Sequence, residues 1–211
     1  MLVAFDFSDT LARTDPFVRL GEPQGESEEV AALLDRMATG DAAFGAGLES
    51  VADRLAGLPV EAADRALEAV RLNPAASDLL GALHRADHDV AVVTDAPERA
   101  VRSCEDPATF DPDHVVANRL PTANGALTGD IEGPLVGRDK AAVLEELATA
   151  RGHSLAETVA VGRDRRDLPM LEAAGTGVGV DPTPVVAAEC DRALPSLERA
   201  RDWAAETNLA P

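Results

Sequence analysis

The sequence predicts an α/β fold: a parallel sheet with helices on both faces and a small helical insert after the first strand. Three observations carry this. Short apolar runs of strand length alternate with amphipathic runs of helix length over most of the 211 residues. The alternation breaks once, between about residues 13 and 72, where only helical patterning occurs. Hydrophobic residues make up 45% of the chain, enough for a sizeable core at this length. The expected division is a core of residues 1–12 and 73–211 and a cap of residues 13–72.

Leu2-Val3-Ala4-Phe5-Asp6-Phe7 reads as a buried strand interrupted near its end by a carboxylate. Helical runs follow near 27–38, 41–56 and 60–71, separated by Gly40 and by Gly57-Leu58-Pro59. Asn73-Pro74 breaks that pattern, and a helix with Leu79, Leu80 and Leu83 on one face comes next. Val90 to Val93 is a second strand and Val115 to Ala117 a third. Asn124-Gly125, between Leu120 and Leu127, signals a hairpin, because both residues tolerate positive φ. An amphipathic helix starts at Lys140 and ends near Gly152. Thr158 to Gly162 and Thr176 to Val180 are further strands, and a helix from about Pro195 to Glu206 closes the chain.

The formal net charge of -19 and the isoelectric point near 4.4 argue against nucleic acid as a partner. Of 19 basic residues only Lys140 is a lysine, and tyrosine is absent. Such an acid-rich, lysine-poor chain suits a halophilic, salty cytoplasm. At molar salt the Debye length falls to about 3 Å, which screens self-repulsion. The plainer reading is an acidic protein of a GC-rich genome. Leu2 to Phe5 lacks the basic flank of a secretion signal, and no apolar run reaches membrane-spanning length. A cytoplasmic monomer or homodimer is expected. Cys104 and Cys190 match no metal or redox spacing.

In open parallel sheets, ligands bind beyond the carboxyl ends of the strands. Four such places carry polar chemistry: Asp6, Thr94-Asp95, Lys140 at its helix start, and Arg163 to Asp167. A lone lysine supplies a compact point charge on a flexible stem, suited to neutralising a phosphate oxygen.

These pieces, in this order, resemble the haloacid dehalogenase (HAD) superfamily and, within it, the phosphoserine phosphatase-like branch. Val3 to Leu11, with Asp6-Phe7-Ser8-Asp9-Thr10, is similar to the first motif. Val92-Val93-Thr94 is similar to the second, Lys140 to the third, and Val159 to Gly162 with Asp167-Leu168-Pro169-Met170-Leu171 to the fourth. The stretches Val116 to Leu120 and Gly125 to Gly133 are typical of the branch. The resemblance implies a HAD-like Rossmannoid fold. It implies a Mg²⁺-dependent phosphomonoesterase acting on a small phosphorylated metabolite through an aspartyl-phosphate. Asp6 would be the nucleophile, Thr94 and Lys140 would bind phosphate, and Mg²⁺ would take oxygens from Asp6, the Ser8 backbone and an acidic fourth motif.

The chain departs from the family at several of these positions. Ser8 stands where the general acid and base is an aspartate, and the acid has moved to Asp9. A serine hydroxyl cannot shuttle protons as a carboxylate does. Adjacent side chains diverge, so Asp9 could serve only on an unusual backbone. Arg163 follows Gly162 where the family has a metal-binding aspartate. Either Asp164, with Asp167, supports the metal, or Arg163 forks onto Asp6, replaces the metal and leaves an impaired anion- or partner-binding protein. Arg163, Arg165 and Arg166 together form a local anion trap, unless they make only surface salt bridges. Asp95-Ala96 replaces paired glycines. Asp15 falls where the branch holds a glutamate for the substrate amine, Phe44 matches a cap aromatic, and Val51 replaces a carboxylate-binding arginine, with Arg54 nearby. A third option, metal-free dehalogenation, is disfavoured by the branch-typical stretch around the hairpin.

Overall fold

The computed structural model describes residues 1–207 and Leu209. Strand β1 (Leu2–Phe5) runs into one wide helical turn, Phe7–Leu11. Four helices follow: α1 (Pro16–Gly21), α2 (Ser27–Thr39), α3 (Phe44–Arg54) and α4 (Val60–Glu68). The chain then alternates through α5 (Pro74–Arg85), β2 (Asp89–Pro97), α6 (Glu98–Arg102) and β3 (His114–Asn118). A hairpin, β4 (Thr122–Ala123) and β5 (Ala126–Leu127), leads towards α7 (Lys140–Ala150). The last elements are β6 (Thr158–Gly162), α8 (Leu168–Ala173), β7 (Thr176–Val180), α9 (Pro184–Glu189), β8 (Arg192–Leu194) and α10 (Leu197–Glu206).

Six strands form one parallel sheet in the order β3-β2-β1-β6-β7-β8. The period of two along β1 divides the core. Val3 and Phe5 face the layer that holds α5 and α10, whereas Leu2 and Ala4 face α7, α8 and α9. The expected parallel sheet with helices on both faces is therefore present. β2 outlasts its apolar run because Thr94, Asp95 and Ala96 remain buried beyond Val93. Strand β8 escaped the sequence because it is three residues long and mostly exposed at the sheet edge.

The hairpin turns through Asn124 (φ 52°) and Gly125 (φ 80°), as the Asn-Gly pair predicts. It bonds to the helical segment rather than to the sheet. Gly57 N–H donates to Leu127 O, Leu127 N–H to Leu58 O, and Val60 N–H to Gly125 O.

Candidate active site

Asp6 follows the last residue of β1, and its N–H donates to Val161 O of β6. That bond fixes the carboxylate at the sheet's carboxyl edge. Lys140 is the first residue of α7, whose N-cap Asp139 accepts the N–H of Ala142. The side chain of Lys140 is 2% exposed, and Nζ donates to Asp6 Oδ1 and to Asp167 Oδ1, both at 2.6 Å. Asp95 Oδ1 lies 3.7 Å from the same Nζ. These carboxylates hold the ammonium well above the usual lysine range despite its burial. Among the described residues, only Lys140 bonds the Asp6 carboxylate.

Asp167 reaches this node because Gly162 has no side chain: a Cβ there would stand 2.5 Å from Asp167 Cβ. Its other oxygen accepts the N–H groups of Arg163 and Asp164 at 2.7 and 3.1 Å. Asp167 therefore both closes the loop after β6 and aims Lys140.

The arginines of that loop part company. Arg163 points away from Asp6: its guanidinium bonds the Asp181 backbone and carboxylate and lies 4.0 Å from Asp9. This is the reverse of the metal-replacing arginine expected as an alternative. Arg166 is the one that turns inward, bonding Asp164 at 2.6 Å and Asp95 at 3.0 Å, with Asp15 at 3.7 Å. Arg165 lies over Gly40 at the end of α2.

Thr94 is fully buried, and its hydroxyl oxygen accepts the Ala96 N–H, leaving its proton to donate. Ser8 Oγ and Thr10 Oγ1 are buried without a partner. Asp9 takes the unusual backbone the sequence would require (φ 54°), but its carboxylate lies near Arg163, and the residue lines a separate cleft with Arg163 and Asp181. Burial pushes its carboxyl up, while Arg163 and Arg166 oppose that shift.

Buried or nearly so are five carboxylates (Asp6, Asp15, Asp95, Asp164 and Asp167) and two cations, Lys140 and Arg166. Burial raises the Asp6 carboxyl well above the ordinary range, and Asp167 and Asp95 add to the rise beyond what Lys140 and Arg166 offset. A further cation beside Asp6 would favour its ionised form. Among the described residues, no cluster of three ligating His, Cys, Asp or Glu side chains occurs. Mg²⁺ commonly takes one or two carboxylates, with substrate phosphate and water completing its octahedron. The negative excess and the all-oxygen donor set fit such an ion.

A cleft of about 490 Å³ opens beside Lys140 and Arg166, walled by Met37, Phe44 and Val136. Phe44 thus lines the cleft, while Val51 is core and Arg54 pairs with Glu26. Asp15 caps α1 through the Phe17 N–H and sits behind Arg166, buried.

A family profile of haloacid dehalogenase-like hydrolases matches residues 3–172. The chain belongs to the haloacid dehalogenase superfamily. A phosphoserine phosphatase of Halobacterium salinarum is 41% identical over 197 residues, 93% of each chain. One from Streptococcus thermophilus is 31% identical over 186 residues, 88% of this chain and 86% of that one. A substrate-bound phosphoserine phosphatase superposes with a TM-score of 0.90 at 26% identity, covering 98% of this chain and 97% of the other. A phospho-aspartyl intermediate analogue of phosphoserine phosphatase also gives 0.90, at 27% identity, covering 96% and 97%. Membership of the phosphoserine phosphatase-like branch follows. The Halobacterium relative fits the salt-adapted composition. No helix among the described residues is long and apolar enough to cross a membrane.

One positioning residue escaped the sequence reading. Asn118 ends β3, fully buried, and donates to Asp95 O while accepting the Leu135 N–H. It ties the turn after β2 to the loop before α7. It lies within the branch-typical stretch Val116 to Leu120, where an asparagine closing an apolar strand was the signal for it.

Proposed function

We propose that the protein is a phosphomonoesterase that hydrolyses a small phosphorylated metabolite through a phospho-aspartate on Asp6. The observation that carries this reading is the Asp6 carboxylate, fixed through one oxygen by Lys140 and otherwise unbonded by side chains among the described residues. Residues 13–72 act as the cap and residues 1–12 and 73–211 as the core. The site lies within one chain, so a monomer or a homodimer serves equally, working in a salty cytoplasm.

The free Asp6 oxygen attacks phosphorus, and the bond to the leaving oxygen breaks. Thr94 Oγ donates to one phosphoryl oxygen and Lys140 neutralises another. Water then attacks the phospho-aspartate, releasing phosphate and restoring Asp6. Asp6, the Ser8 carbonyl and Asp164 would hold Mg²⁺, while Asp167 keeps Lys140 in place. Bound Mg²⁺ offsets the repulsion between a carboxylate and a phosphate. Ser8 cannot protonate the leaving group, and Asp9 stands aside with Arg163. The leaving oxygen therefore takes its proton from water, and esters of acidic alcohols react fastest.

The test is phosphate release in molar KCl, with Mg²⁺ or with EDTA, from p-nitrophenyl phosphate and from alkyl phosphates. Activity requires Mg²⁺ and favours the aryl ester. Asp6→Asn lowers it by a factor on the order of 10³ or more. Equal activity of Asp6→Asn and wild type overturns the reading. So does silence of well-folded wild type on every ester.

A further inference from the structure

Hydrolysis through a phospho-aspartate has two halves, and they make different demands on protons. In the first, an ionised Asp6 attacks phosphorus, and an acidic leaving group such as a nitrophenolate departs without a proton. In the second, water attacks phosphorus and must lose a proton as the bond to Asp6 breaks. A positioned base commonly speeds such a step by about 10²–10⁴-fold.

The site is crowded with carboxylates, yet none of them is placed to be that base. Asp167 gives one oxygen to Lys140 and the other to the N–H groups of Arg163 and Asp164. Both oxygens of Asp164 accept from Arg166. Asp95 accepts from Arg166 through one oxygen and faces Lys140 with the other. Asp15 keeps one oxygen without a hydrogen-bond partner, but that oxygen is buried behind Arg166. Asp139 is exposed and caps α7. Asp9 lies near Arg163, in a separate cleft.

Ser8 does not fill the gap. Its Oγ is buried and has no hydrogen-bond partner among the described residues. A proton relay needs an acceptor for the proton it takes, and this hydroxyl faces none.

We infer that Ser8 makes breakdown of phospho-Asp6 the slow half of the reaction, so that the phosphorylated protein accumulates during turnover of activated esters. This rests on the phosphomonoesterase reading. In the first half a bond forms between the free Asp6 oxygen and phosphorus, the ester P–O bond breaks, and the leaving oxygen keeps the electron pair. In the second, a water oxygen bonds phosphorus, the Asp6 oxygen recovers its electron pair, and the water's proton passes to bulk water. Nothing in the second half depends on the alcohol that has left. Aryl phosphates of different acidity therefore share one steady-state rate.

Rapid-quench mixing of the wild type with p-nitrophenyl phosphate, in molar KCl with Mg²⁺, reads both halves. Nitrophenolate appears in a burst approaching one equivalent per chain and then in a slower steady release, while inorganic phosphate shows no burst. Mass spectrometry of the acid-quenched protein finds the phosphoryl group on Asp6. Ser8→Asp shrinks the burst and raises the steady rate by about 10²-fold. Ser8→Asn, of like size but unable to take a proton, gives no such gain. Nitrophenolate release that is linear from the first turnover overturns the inference, as does a phosphate burst that matches it. So does a folded Ser8→Asp that gains no more than Ser8→Asn. Should Ser8→Asp fail to fold, the wild-type burst and the phosphoryl group on Asp6 decide alone. Failure of the phosphomonoesterase reading shows separately, as no nitrophenolate release or as equal release by Asp6→Asn.

Discussion

Lys140 and Arg166 are two buried cations built on the same plan, yet they are suited to different work. Each lies within 4.0 Å of three carboxylates, and they share Asp95. Lys140 has three donors and directs two strong bonds, to Asp6 and Asp167. Its third proton has no hydrogen-bond partner among the described residues, and the proposed function gives it to an incoming phosphoryl oxygen. Arg166 has its fork closed: Nε and Nη2 grip Asp164, and Nη1 grips Asp95. It can accept a ligand only by releasing an acid. Under the proposed function the lysine is the group that meets substrate, whereas the arginine is the strut that gathers the loops after β1, β2 and β6.

The largest effect comes from Lys140→Met. It leaves Asp6 and Asp167 buried against each other with no cation between them. Breaking a buried pair costs about 3–5 kcal/mol. Denaturant unfolding in molar KCl shows that loss, and phosphate release falls to the level of Asp6→Asn. A stable, active Lys140→Met would show that Lys140 is no more than a filled space.

Arg166→Gln costs about 3 kcal/mol, at the low end of the same range, because Asp164 and Asp95 lose their partner. Its effect on turnover is smaller than that of Lys140→Met, and it tightens Mg²⁺ by freeing Asp164. A Mg²⁺ titration of thermal stability reads this directly. If turnover instead vanishes while stability holds, Arg166 touches substrate and the division between the two cations fails.

The two nodes also differ in how far the sequence revealed them. Asp6, Thr94 and Lys140 could be placed because each stands at a strand end or helix start with a recognisable motif around it. The parallel sheet with helices on both faces was legible in the same alternation, but its strand order and the three-residue β8 were not. The roles within Arg163-Asp164-Arg165-Arg166 could not be read. Neighbouring arginines differ only in direction, and direction depends on the turn that Asp167 closes through two backbone N–H groups. The hairpin was correctly placed in sequence, but its bonds to Gly57, Leu58 and Val60 are long-range pairings that no local pattern encodes.

Asp15 gives the next effect and sharpens the account of the Arg166 node. Burial, aided by Asp95 and Asp9, raises its carboxyl to about 6 from 3.8, although Arg166 and the Phe17 N–H oppose this. The folded state thus binds a proton that the unfolded state has already released across that window. Stability from this group is greatest at low pH and falls as pH rises, by about 2 kcal/mol between about pH 4 and pH 6. Asn caps a helix as well as Asp, so Asp15→Asn removes the titration and keeps α1. The wild-type minus Asp15→Asn difference in unfolding free energy, measured at both pH values, should carry that slope. A flat difference would mean that Arg166 neutralises Asp15 fully.

The smallest effect belongs to Arg163, and it separates the loop's outer arginine from the inner one. Arg163 is about one-third exposed and pairs with Asp181, which is 70% exposed. Exposed pairs contribute about 0–1 kcal/mol, less still in molar salt. Arg163→Ala therefore changes unfolding by under about 1 kcal/mol. The loop keeps its shape, because Asp167 holds the backbone N–H of residue 163 rather than its side chain. The Mg²⁺ requirement for phosphate release is unchanged as well, since the guanidinium that leaves was never on Asp6. Were Arg163→Ala to acquire a Mg²⁺ requirement that the wild type lacks, the side chain would have to swing from Asp181 onto Asp6 in solution. The arginine at the family's metal position would then be the metal's replacement after all.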